Sequence, residues 1–163
     1  MFGKFKSFIL KKVFLISKKP VLFLDLLEAN SLYNENMLID PSKLNFRFKY
    51  SSLYSLFAIF TILLLLIVTL FMHRFFTKLD FHVLIVLIVV STIFVIFCFD
   101  VFKIWARKNI SLALIKKAWE NHFPFFPYEK YSKKVEEIYN TALKEEVQRR
   151  DMQQYVMSKI SKS

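Results

Sequence analysis

The chain of 163 residues contains a single glycine, Gly3, and that scarcity removes several catalytic designs at once. Phosphate-cradling loops, dinucleotide fingerprints and nucleophile elbows need glycine where the backbone takes unusual dihedrals or closely approaches a ligand. Cysteine is equally scarce. Cys98 is the only one, which excludes an intramolecular disulfide and a cysteine-based zinc cluster. Lying between Phe97 and Phe99, it reads as a small buried thiol. Charge is missing from two stretches altogether: Tyr50 through Met72 and Phe81 through Phe99 contain no Asp, Glu, Lys or Arg.

Each charge-free run meets the requirement of roughly 20 apolar residues for crossing a hydrocarbon core about 30 Å thick. The second run is rich in β-branched residues from Val83 to Ile96, which in water would favour buried strands. In hydrocarbon every backbone N–H and C=O must be paired within its own segment, so the expectation is helix. Leu63, Leu64, Leu65, Leu66 and Ile67 show no alternation of the barrel-strand kind. The expected fold is therefore an all-α integral membrane protein. A two-helix transmembrane hairpin over 50–100, with spans at about 50–72 and 81–100, divides a basic N-terminal arm, 1–49, from a helical tail, 101–163.

The 24 basic and 13 acidic residues give a net charge of +11, distributed as +5 over 1–49, +1 over 50–99 and +5 over 100–163. The link 73–80 is too short for a domain and compels an antiparallel hairpin with both termini on one side. Lys43, Arg47 and Lys49 before the first span, and Lys103, Arg107, Lys108, Lys116 and Lys117 after the second, outnumber Arg74 and Lys78 in the link. The positive-inside rule then places both termini in the cytoplasm and the loop 73–80 outside. The first twenty residues begin like a secretory signal, but paired lysines split their apolar stretch and no small-residue cleavage site follows, so retention is expected. Abundant Phe, Lys, Ile and Leu with little Gly suggest AT-rich bacterial coding, hence a bacterial inner (cytoplasmic) membrane.

Taken as a helix, residues 2–16 place Phe2, Phe5, Ile9, Val13 and Ile16 on one face, with Lys6 snorkelling among them. Lys4, Lys11, Lys12, Lys18 and Lys19 fall on the opposite face. That pattern predicts an amphipathic interfacial helix with its lysines on anionic headgroups; packing on a partner or on the rest of the chain is the alternative. After the turn at Asp40-Pro41-Ser42, residues 43–50 alternate, with Leu44, Phe46, Phe48 and Tyr50 between basic or polar neighbours. Period two is a strand signal, but a lone strand has unpaired edges, so the segment is read as a basic-aromatic anchor rather than as an addition to a partner's sheet.

Beyond Asp100 the second helix is expected to continue, with Trp105, Leu112, Ile115 and Trp119 on one face, until Pro124 and Pro127 stop it. The segment 122–128, carrying Phe125 and Phe126, reads as an adhesive elbow. From about 129 to 158 a further helix is expected, with Glu145 and Arg149, and Glu146 and Arg150, as i, i+4 pairs. Its stripe of Tyr131, Val135, Ile138 and Ala142, resumed by Met152 and Val156, suits helix packing without the heptads of a sustained coiled coil.

Among three histidines, His73 and His82 flank Asp80 and could offer metal ligands, but polar residues are expected at any membrane boundary. No metal, cofactor or catalytic residue is assigned. The span interiors carry only hydroxyl-bearing polar residues and Cys98, which disfavours an ion relay. The functional expectation is a non-enzymatic inner-membrane subunit that anchors, assembles or stabilises a larger complex, without distinguishing secretion, motility, respiratory or division machinery. A small holin-like permeabilising protein and an accessory to a lipid or cell-wall enzyme are the alternatives. Expected partners are membrane lipids with anionic headgroups and other protein subunits, with self-association possible in principle and nucleic acid not expected. Candidate contacts are Lys4, Lys11, Lys12, Lys18, Lys19, Phe46, Phe48, Trp105, Trp119, Phe125 and Phe126.

Overall fold

A computed structural model describes residues 2–161, with the side chains of residues 2–5 outside the described set. Six helices make up 74% of the chain, so the protein is mostly helical. In chain order they are α1 (Phe2–Val13), α2 (Phe23–Asn34), α3 (Tyr50–Phe76), α4 (Phe81–His122), α5 (Tyr128–Lys144) and α6 (Met152–Ser161). Two short strands, β1 (Phe14–Ile16) and β2 (Phe46–Phe48), pair with each other. The chain resolves into two compact units: Met1–Val13 with Phe48–Ala106, and Phe14–Arg47 with Arg107–Ser163.

The first unit is built around the charge-free runs. α3 is 27 residues long, about 40 Å at 1.5 Å per residue. Both α3 and α4 are long and apolar enough to cross a membrane, and none of the residues in the most apolar window of either is buried. Their hydroxyls bond within their own helix: Thr69 Oγ1 donates to the carbonyl of Leu65 at 2.8 Å and Thr92 Oγ1 to that of Ile88 at 2.9 Å. Between them, Asp80 Oδ1 accepts from the backbone N–H of Phe81 at 2.7 Å while its carbonyl takes the N–H of Leu84, which opens α4. α1 packs on α3 with Ile9, Leu10 and Val13 buried and Leu53 fully enclosed.

The N-terminal helix is shorter than its apolar spacing implies. It stops at Val13 because Phe14 to Ile16 extend into β1, so Ile16, Lys18 and Lys19 leave the helical faces assigned to them. The alternation after Asp40 is realised as a strand whose partner lies in the same chain. Ser17 N–H donates to Asn45 C=O at 2.8 Å and Lys49 N–H to Val13 C=O at 2.7 Å, an antiparallel register. Phe14 and Phe46 meet edge to face at 5.4 Å. Neither a partner's sheet nor a headgroup anchor is needed to explain Phe46, which is buried.

In the second unit, segments from either side of the hairpin share one core. α2 packs on α5 and α6, and α5 on α6. Leu26, Leu27, Val135, Ala142 and Val156 are fully enclosed. The buried face of α2 is partly polar: Asn30 Nδ2 donates to the carbonyl of Ser132 at 2.8 Å, and Asn34 Nδ2 to Glu136 Oε2 at 2.8 Å. Arg107 Nε donates to the Ile39 carbonyl at 3.0 Å and Lys108 Nζ to Asn36 Oδ1 at 2.8 Å, holding the loop after α2.

The near-absence of glycine shapes the helix ends. α2 closes with Asn36 at φ 61° and α5 with Glu146 at φ 54°, both in the left-handed region that glycine usually fills. Met37 N–H reaches the Leu32 carbonyl and Val147 N–H the Ala142 carbonyl, completing the same capping turn twice. The reversal at Glu146 divides the single helix expected over 129–158 into α5 and α6. The anticipated helical pairs Glu145 with Arg149 and Glu146 with Arg150 therefore do not form; Glu145 Oε2 instead accepts from the Tyr155 hydroxyl at 2.7 Å.

Candidate functional site

The aromatic residues at the base of the hairpin form a connected collar in the first unit. Tyr50, Tyr54 and Phe57 recur at i, i+4 and i+7, so α3 presents them on one face. Phe99, Phe102 and Trp105 recur at i, i+3 and i+6 on α4. Phe48 lies 5.9 Å from Tyr50, Tyr50 6.2 Å from Tyr54, Tyr54 5.3 Å from Phe99 and Phe57 4.9 Å from Phe99, between ring centroids. The series runs on through Phe57 to Phe102 at 6.0 Å and Phe102 to Trp105 at 5.9 Å. Lys103 Nζ stands 5.2 Å above the Phe99 ring and bonds Asp100 Oδ1 at 2.9 Å, which gives the collar a cationic edge. Of these residues, Phe48 and Trp105 are legible from sequence as contacts. The rest are signalled by aromatic spacing at the ends of the charge-free runs.

Other candidate contacts divide between surface and core. Lys11 and Lys12 are exposed on α1, and Lys18 and Lys19 are exposed in the bend after β1; the Lys4 side chain is outside the described residues. Trp119 is enclosed, its indole Nε1 donating to the Phe126 carbonyl at 2.6 Å. Phe123 lies tilted against it at 4.4 Å between ring centroids, and Phe126 meets Tyr131 at 5.1 Å. The prolines thus fold the elbow inward, and Phe125, 86% exposed, is its one outward ring.

The second unit also contains a cleft of roughly 890 Å3, lined in part by Leu22, Asp25, Glu28, Lys43, His122, Tyr139, Leu143 and Arg149. Lys43 forms an ion pair with Glu28, and this contact holds its ammonium above the usual lysine range. Burial raises Tyr139, keeping its phenol neutral. His122 Nε2 bonds the Val21 carbonyl at 2.9 Å, which fixes the ring against the wall. The cleft draws on four separate stretches of chain, so no local motif announces it. Its lining combines Asp25, Glu28, Lys43 and Arg149 with apolar Leu22 and Leu143, a mixture able to hold a segment with both charge and apolar surface.

Among the described residues, no group of three or more His, Cys, Asp or Glu stands in position to hold a metal. His82 packs edge-on against Phe81 at 6.1 Å, and Asp80 is committed to the start of α4. No protein-family model, curated protein or solved structure matches this chain.

Proposed function

We propose that this protein is a membrane-anchored, non-enzymatic subunit, with α3 and the apolar part of α4 in a bilayer and the second unit holding other proteins of a larger complex. The observation that carries this reading is that no residue of either apolar window is buried, whereas the second unit encloses Leu26, Leu27, Leu44 and Phe123. A core helix of a water-soluble protein hides such a face, whereas a lipid-facing helix has none to hide. The aromatic collar adds support, because Tyr and Trp concentrate at membrane boundaries. Basic residues flanking the hairpin favour cytoplasmic termini, and composition favours a bacterial inner membrane.

A composite core assembled from both flanking segments is more than an anchor alone requires, which is why an assembly role is favoured over a holin-like pore. The protein-facing surface is assigned to the second unit, with exposed Phe125 and the mixed-charge cleft as its contacts. Gentle solubilisation followed by affinity purification of the full chain should recover defined protein partners in fixed proportion, and alkaline carbonate washing should leave the chain in the membrane. A clean monomer without partners would sink the assembly role, and extraction by carbonate would sink the anchor.

A further inference from the structure

We propose that the base of the hairpin is a receptor surface for anionic phospholipid headgroups, with α1 as its basic face; this rests on the membrane-hairpin reading above. Ile9, Leu10 and Val13 of α1 are unavailable for sinking into lipid, because they are buried and α1 packs on α3; the side chains of Phe2 and Phe5 lie outside the described residues. Among its described side chains, α1 turns outward Lys6, Ser7, Phe8, Lys11 and Lys12. The helix has no acidic residue in its first turn and carries Lys11 and Lys12 in its last, so its outward face is cationic, with Phe8 as the one exposed ring among the described side chains.

A backbone bond makes that face part of the hairpin base. Lys49 N–H donates to the Val13 carbonyl at 2.7 Å, which fixes the end of α1 beside the start of α3 and brings exposed Lys49 to the same end of the unit as Lys11 and Lys12. The aromatic collar occupies that end as well, running from Phe48 beside Lys49 to Trp105. Asp100 is the one acidic residue there, and it is engaged by Lys103. The unit thus carries exposed Lys6, Lys11 and Lys12 on α1, exposed Lys49 beside the end of α1, and Lys103 over the Phe99 ring, with Asp100 paired to Lys103. Lysines set beside aromatic rings at the root of apolar helices match a leaflet whose surface is negative. A freely soluble polyanion would find the same charges but no use for the collar. Attraction through charge rather than through a buried apolar face also makes the interaction sensitive to salt.

The test uses the full chain reconstituted into phosphatidylcholine vesicles in which a minor fraction of lipid carries brominated chains, on either phosphatidylcholine or phosphatidylglycerol. Trp105 reports bromine nearby, while enclosed Trp119 supplies a constant background. Brominated phosphatidylglycerol should quench about two-fold more than the same fraction of brominated phosphatidylcholine, and the excess should vanish in high salt and in the K6Q/K11Q/K12Q variant. Unchanged quenching of that variant by brominated phosphatidylcholine shows that it still inserts. Equal quenching of the wild type by both lipids overturns the receptor surface while leaving the hairpin standing. No quenching by either lipid overturns the hairpin reading itself. An excess that survives the triple substitution, or lysines that retain RNA while showing no lipid preference, also overturns the assignment to α1.

Discussion

The two units use the same apolar residues in opposite ways. Leu26 and Leu27 of the second unit are wholly enclosed, while Leu63 and Leu64 of the hairpin are 57% and 49% exposed. Around the first pair, α5 and α6 supply the covering side chains; the second pair lies in a window with no buried residue, where helical order rests on backbone bonds closed within the helix. Residue type therefore does not decide which way a leucine faces. The signal that separates the two cases is charge: α2 carries Asp25 and Glu28 among its leucines, whereas Tyr50–Met72 and Phe81–Phe99 carry none.

The sharpest way to break this comparison is to truncate one leucine in each unit. Leu26→Ala should cost the second unit about 3 kcal/mol, because the cavity left in a closed core adds to the lost transfer energy. In a unit of this size the thermal midpoint should fall by at least about 12 °C, followed through Trp119 emission of the full chain in detergent micelles. Leu64→Ala should leave the far-ultraviolet helix signal unchanged and change the stability behind that transition by no more than about 0.5 kcal/mol. A hairpin that suffers as much as the core would refute its outward placement.

Alkaline pH should separate the units next. Burial near Tyr33 and Glu129 pushes the Tyr128 phenol up to about 12, from an ordinary value of 10.0. A group held neutral in this way contributes its full stability below pH 10, and the contribution is lost as pH climbs from 10 toward 12. Allowing for partial exposure, the loss from Tyr128 is about 1 to 2 kcal/mol. Tyr128→Phe should accordingly flatten the fall in second-unit stability above pH 10, read by chemical denaturation at several pH values. An unchanged slope would mean that the phenol is not protected.

The smallest effect concerns the turn that splits the tail. Glu146 occupies the left-handed region, so Glu146→Gly should stabilise the second unit by about 0.5 to 1 kcal/mol without altering the hairpin. A destabilised variant would show that the Glu146 side chain contributes more than its backbone strain removes.

The two long helices were legible because nothing in Tyr50–Met72 or Phe81–Phe99 competes with the apolar signal. The stop at Pro124 was equally plain, since proline removes a donor and clashes with the preceding turn. α2 left no comparable trace: its buried face mixes Leu26 and Leu27 with Asn30 and Ser31, so the usual contrast between apolar and polar sides is absent. The Asn30 side chain donates to the Ser132 carbonyl, a partner 102 residues away that no local pattern reveals. The division between α5 and α6 was hidden for a related reason. Where a glycine would have marked the reversal, the chain uses Glu146, a residue that ordinarily reads as helix. Phe14 and Phe46 likewise identify each other only once β1 and β2 are paired. Of the collar, the spacing of single helices was readable, but the meeting of Tyr54 with Phe99 was not.

The bond from Asn30 to Ser132 also sets a timetable for biosynthesis. At about 5 to 20 residues per second, some 5 to 20 s separate the emergence of one partner from that of the other. During that interval Leu26 and Leu27 have been made but the helices that enclose them have not, while the most apolar stretches of the chain are being synthesised. The ribosome therefore finishes the hairpin before the flanking unit can close, and the nascent N-terminal arm is a natural client for a chaperone until Val135 and Val156 arrive.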